Sequence, residues 1–105
     1  MTIQAEALGQ LRARFVARAA DDLAALRRHL DGEQLASETL RFLVHRLAGA
    51  AGTFGYRDVG EAAGSAEDDL LASSSSLRAS LNRLAGALVS LVDESRHAVH
   101  HNELP

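Results

Sequence analysis

The chain has 105 residues, 47% of them hydrophobic, with 11 basic and 14 acidic side chains for a formal charge of -3. That length suits one compact domain with one core and leaves no room for a second. The acidic balance supplies no positive field for nucleic acid or anionic lipid. The absence of cysteine excludes a disulfide framework, a thiolate metal site and a cysteine nucleophile. The opening MTIQAEALGQLRARF is charged where a secretory core is apolar, and no run approaches the ~18 uninterrupted apolar residues of a membrane span. The expectation is one cytoplasmic domain over 1–105 with no membrane or nucleic-acid partner.

Proline is confined to Pro105, and alanine, leucine and arginine dominate, so long helices are unobstructed. Leu8, Leu11, Phe15, Ala19, Leu23, Leu26 and Leu30 recur at helical spacing and predict one apolar stripe on a long first helix. Asp31-Gly32 supplies its stop. Ser37 is the expected N-cap of a second helix whose apolar series is Leu40, Leu43, Leu47, Ala51 and Phe54, with Gly55 as terminator. A third helix is expected from Asp58, with Val59, Ala63, Ala66 and Leu70 as its small-residue core line and Gly60 and Gly64 permitting close approach. The serine run at 73–76 is a connector, and Leu77, Leu81, Leu84, Leu88, Leu91 and Val92 mark a fourth helix that frays over 97–105. Such stripes joined by short turns predict an all-α, antiparallel four-helix bundle, up-down-up-down, acting as a monomer.

The helical phase of the second element sends His45 away from the side that holds Leu40, Leu43, Leu47 and Ala51. On the outward face it is followed by Ala48, Gly49 and Gly52 and preceded by Arg41 and Phe42. Glycine in a helix interior costs about 1 kcal/mol relative to alanine, so this bare strip requires a reason. Two are open: access to His45 from outside, or close approach of a neighbouring helix within the bundle. Phe42 is likewise open between a docking contact and the margin of the core.

The stretch HRLAGAAGTFGY followed by RDVGEAAGSAEDDL resembles the phosphoacceptor helix and the succeeding helix of histidine-containing phosphotransfer (HPt) domains of multistep phosphorelays. The family pattern is a histidine, any residue, leucine, usually lysine, then glycine and a small-residue series ending near a glutamate. His45, Leu47, Gly49, Ala50, Ala51, Gly55, Val59, Ala63, Ala66 and Glu67 fit that order. The resemblance implies that His45 accepts a phosphoryl group from a receiver-domain aspartate and passes it to another receiver. An imidazole suits this because it retains a lone pair near neutral pH and can carry a covalent intermediate. It also implies response-regulator receiver domains and a hybrid histidine kinase as partners, with Mg²⁺ on the receiver and no cofactor bound here. Phe42, Ala48, Gly49 and Gly52 are the implied partner-binding surface. The chain departs from the pattern at Ala48, where the usual lysine is missing. Arg46 and Arg41 are the expected substitutes for stabilising phosphate, with Arg57 a further basic residue nearby. The alternative is a receiver-binding adaptor of the same fold that accepts no phosphate.

Other constellations are weaker. His97, His100 and His101 have spacing that could bring two imidazoles to one metal, and ESRH at 94–97 has the Glu-x-x-His form of di-iron bundles, but only once. No metal site is therefore assigned. His29 fits the helix C-terminal dipole, and Glu67, Asp68 and Asp69 read as a solvated acidic face. The chain has no phosphate-binding glycine loop with a lysine, and thus no expected ATP-dependent kinase activity.

Overall fold

The structure is a computed structural model that describes residues 3–103, with side chains over 4–96. It contains α1 (Ile3–Leu30), α2 (Ser37–Thr53), α3 (Arg57–Leu71) and α4 (Leu77–Glu103). Cross-helix contacts fix the directions. Asp22 of α1 meets Arg46 of α2, His45 of α2 meets Glu67 of α3, and Asp69 of α3 meets Ser80 of α4. Arg78, at the start of α4, donates 2.9 Å to the Leu30 carbonyl at the end of α1. Each packed pair is therefore antiparallel, and the chain is an all-α four-helix bundle in up-down-up-down order.

The core forms from the expected stripes. Phe15, Ala19, Leu23 and Leu26 are buried on α1, Leu40, Leu43, Leu47 and Ala51 on α2, Val59, Ala63 and Ala66 on α3, and Leu81, Leu84, Leu88, Leu91 and Val92 on α4. Val44 and Ala62 join them, which widens the α2 and α3 stripes to the broad apolar face of a helix enclosed by two neighbours. Phe54, Leu70 and Leu77 are partly buried and pack against this core. The small residues of α3 let it lie close to α2. A Cβ built on Gly60 would stand 3.7 Å from the Ala51 Cβ and 3.8 Å from the Ala48 carbonyl oxygen, whereas one on Gly64 would meet nothing within 4 Å. Close approach is thus a property of Gly60 and not of Gly64.

Several boundaries differ from expectation. Ser37 is the first helical residue and Ala36 occupies the N-cap without a side-chain hydrogen bond. Helix α3 begins at Arg57 rather than Asp58. Gly55 does terminate α2 in the left-handed region, at φ +80°, where a side chain is disfavoured. The largest correction concerns Leu8 and Leu11, each 50% exposed. Helix α1 has 28 residues against 17 in α2, so at 1.5 Å per residue it outruns its neighbour by about 16 Å. The turn after α2 closes over Phe15, whose ring lies 5.3 Å from that of Phe54 and 5.5 Å from that of Tyr56. Beyond that aromatic layer residues 4–14 of α1 are exposed. Periodicity specifies a face but not the length over which a neighbour covers it. Helix α4, with 27 residues, projects past the α2–α3 turn in the same direction. The backbone of 97–103, within the segment expected to fray, is helical as part of α4; residues 104–105 and the side chains of His97, His100 and His101 lie outside the described residues.

Candidate functional site

Helix α2 turns Leu40, Leu43, Val44, Leu47 and Ala51 inward, which leaves the His45 side chain 73% exposed. Helix α3, running antiparallel and close by, brings Glu67 to it. Its Oε2 lies 2.6 Å from His45 Nδ1. A carboxylate only accepts, so Nδ1 carries the proton and donates it to Glu67. In the neutral ring this leaves Nε2 as the nitrogen with a free lone pair. Glu67 itself is only 21% exposed, so its carboxylate is held by the helix surface and orients the ring.

His45 and Glu67 form one end of a hollow of about 360 Å³ completed by Glu38, Arg41 and Phe42. Arg41 is thus the basic residue beside the imidazole. Phe42 is 63% exposed, which settles its place outside the core. In the other direction along α2, Gly49 and Gly52 are exposed, and a Cβ at either would meet nothing within 4 Å. Close packing within the bundle therefore does not explain these glycines. Gly49→Ala is expected to raise stability by about 1 kcal/mol through helix propensity alone, read as an increase in Tm of several degrees. Ala48 differs from its neighbours: it is partly buried against the core, with its carbonyl facing Gly60. The bare strip is consequently narrower than the sequence suggests.

The expectation for Arg46 requires correction. Its Nη2 lies 2.7 Å from Asp22 Oδ1 on α1, and its guanidinium carbon is 5.9 Å from the centre of the Phe42 ring. Arg46 is therefore engaged on the α1 side of α2, tied to a buried carboxylate, and is not a free cation beside His45. Arg57 pairs with Glu61 at 3.2 Å, one turn along α3. The acidic triplet is also not one solvated face: Glu67 holds His45, Asp69 accepts a hydrogen bond from the Ser80 hydroxyl, and only Asp68 is exposed. His29 has a more specific task than complementing a helix dipole. Its Nδ1 accepts the Leu35 amide at 3.1 Å and clasps the α1–α2 turn.

The role of Glu67 was the feature that sequence reasoning missed. A signal was present: Glu67 follows the buried Ala63 by four residues and Ala66 by one, which places it at the margin of the α3 core line, next to α2. Among the described residues no group of three His, Asp or Glu side chains is arranged to hold a metal, and no helix is long and apolar enough to cross a membrane.

Residues 10–100 match the model of the Hpt domain family. No curated protein matches the chain, and neither does any solved structure. The match covers α2 and α3 entirely and includes the His45–Glu67 pair. Hpt domains are helical bundles that work in phosphorelays by histidine phosphotransfer and interact with receiver domains and kinases. A four-helix bundle with an exposed, carboxylate-paired histidine on the matched helix accords with that assignment, and the chain belongs to the Hpt domain family.

Proposed function

We propose that this protein receives a phosphoryl group on His45 Nε2 from a phosphorylated aspartate of a receiver domain and delivers it to the aspartate of another receiver. The observation that carries this reading is the 2.6 Å bond from His45 Nδ1 to Glu67 on a ring that is otherwise open to solvent. The lone pair of Nε2 attacks phosphorus, the N–P bond forms as the P–O bond to the aspartate breaks, and the aspartate departs as a carboxylate. The ring, still protonated at Nδ1, becomes cationic, and the adjacent Glu67 carboxylate balances that charge. In the onward transfer the electron pair of the N–P bond returns to the ring. In-line positioning dominates such reactions, and an exposed side chain on one helix that a carboxylate of the next helix holds in place meets that need. Arg41, which lines the same hollow as His45, supplies the cation for the phosphoryl oxygens in this reading, and Mg²⁺ belongs to the receiver.

The direct test is incubation with several phosphorylated receivers, following label into this chain and asking whether the product is acid-labile and alkali-stable. Glu67→Ala is expected to slow transfer by about 10- to 100-fold, the cost seen when a carboxylate that orients a ligating histidine is removed. Transfer at the wild-type rate in that variant would show that Glu67 has no part in the step.

A second reading is a receiver-binding adaptor that takes no phosphate. The observation in its favour is the engagement of Arg46 with Asp22, which together with Ala48 leaves Arg41 as the basic group lining the hollow beside His45. Receiver binding without label on the protein, across several phosphorylated receivers, would establish it.

A further inference from the structure

Resting on the phosphotransfer reading, we infer that the receiver is anchored on the side of His45 toward the amino-terminal end of α2, with Phe42 and Leu71 as its two apolar holds and Arg41 between them. Among the described residues the large hydrophobic side chains left exposed are Leu8, Leu11, Phe42 and Leu71. The first two lie on the projecting end of α1. The other two border adjoining hollows that share Glu38 and Arg41: one contains Phe42, His45 and Glu67, and the other, of about 550 Å³, contains Leu71 and reaches the α3–α4 turn.

Leu71 is 58% exposed at the last position of α3. The bundle does not need it, because the preceding Leu70 already packs against the core. A stable protein interface covers about 800 Å² on each partner, far more than an imidazole and its immediate rim provide. The Gly49 and Gly52 side permits close approach but offers no side chain to grip. Interface energy concentrates in aromatic, arginine and well-packed apolar anchors, and these residue types lie on the opposite side, continuous with the atom the receiver must reach.

Phe42 is also prepared for this task. The Arg46 guanidinium stands 5.9 Å from its ring centre and is fixed by Asp22 at 2.7 Å. An exposed aromatic ring restrained before binding loses less freedom on docking. The Asp22–Arg46 pair is thus a support for Phe42, and the apparent loss of a phosphate-binding arginine becomes a contribution to recognition.

The test uses the full chain and measures the rate of label transfer against the concentration of phosphorylated receiver. Leu71→Glu is expected to raise the half-saturating receiver concentration by about tenfold or more, as for loss of an interface anchor. The rate at saturation should be unchanged. Leu71→Ala, which adds no charge, should move it in the same direction by less. Labelling by phosphoramidate, a donor too small to use the surface, should be equal in all three proteins. An unchanged half-saturating concentration in both variants, with wild-type transfer intact, overturns this inference and leaves the phosphotransfer reading standing. A wild-type chain that takes label from neither receivers nor phosphoramidate overturns the phosphotransfer reading. A wild-type dimer that Leu71→Glu converts to a monomer in sedimentation assigns the patch to self-association and also overturns the inference.

Discussion

His45→Ala is expected to abolish phosphate acceptance from receivers while leaving helicity intact and stability within about 0.5 kcal/mol of the parent, the usual range for a surface substitution. The reason lies in the position of the ring. Its side chain is 73% exposed, so removing it opens no cavity in the core. Glu67 loses one hydrogen bond but retains access to water, and alanine has the stronger helix propensity, which offsets part of that loss. Activity and stability should therefore separate cleanly. Circular dichroism, thermal denaturation and label transfer on the same preparation make the comparison. Label persisting in the variant would place the phosphoacceptor on another histidine. His29 is a poor substitute because its Nδ1 already accepts the Leu35 amide.

The second large effect concerns stability. Asp22 is 5% exposed and receives Arg46 at 2.7 Å, with the Arg18 Nε 3.7 Å away. The second Asp22 oxygen and the Arg46 Nε are buried without hydrogen-bond partners. Breaking such a pair from one side leaves a desolvated charge, whereas replacing both partners with apolar residues relieves it. The two sides are unequal, because the Arg46 side chain is 25% exposed and that of Asp22 only 6%. Arg46→Met should cost about 3 kcal/mol, since the stranded carboxylate has little water to return to. For a domain of this size that corresponds to a fall in Tm of about 12–24 °C. Asp22→Leu should cost less, about 2 kcal/mol, because the freed guanidinium can swing outward. The double variant is expected to recover most or all of the parental Tm. Additive losses in that cycle would show that the two side chains are not coupled.

The sequence carried the architecture and the position of the histidine well. Repeats such as Leu81, Leu84, Leu88, Leu91 and Val92 report directly which face must be buried, and the same phase argument turned His45 outward. It could not report where coverage stops. Leu8 and Leu11 obey the pattern of α1 perfectly, yet α2 ends before reaching them, and helix length depends on where a distant turn falls. Pairings between helices were also hidden. Arg46 adjoins His45 in sequence, but a step of 100° about the axis carries it to the α1 side, where Asp22 waits. The place of Glu67 at the margin of the α3 core line is legible in the sequence, but its pairing with His45 is visible only with α3 set against α2. The glycines illustrate a third limit: Gly49, Gly52 and Gly60 look alike in sequence, and only the packing shows that α2 lies against Gly60 and that a side chain at either of the other two would face open space.

The overhang of α1 and α4 has a practical bearing on how the molecule can be handled. The start of α1 lies beyond the aromatic layer formed by Phe15, Phe54 and Tyr56, and α4, antiparallel to α1, runs on toward the same end of the bundle. From His45 to the end of α2 is about 12 Å, and from Phe15 to the start of α1 about 18 Å, at the helical rise per residue. A fluorophore or sensor surface attached through a side chain in the first turn of α1 therefore lies about 30 Å from the imidazole, leaving the reacting face turned to the solution.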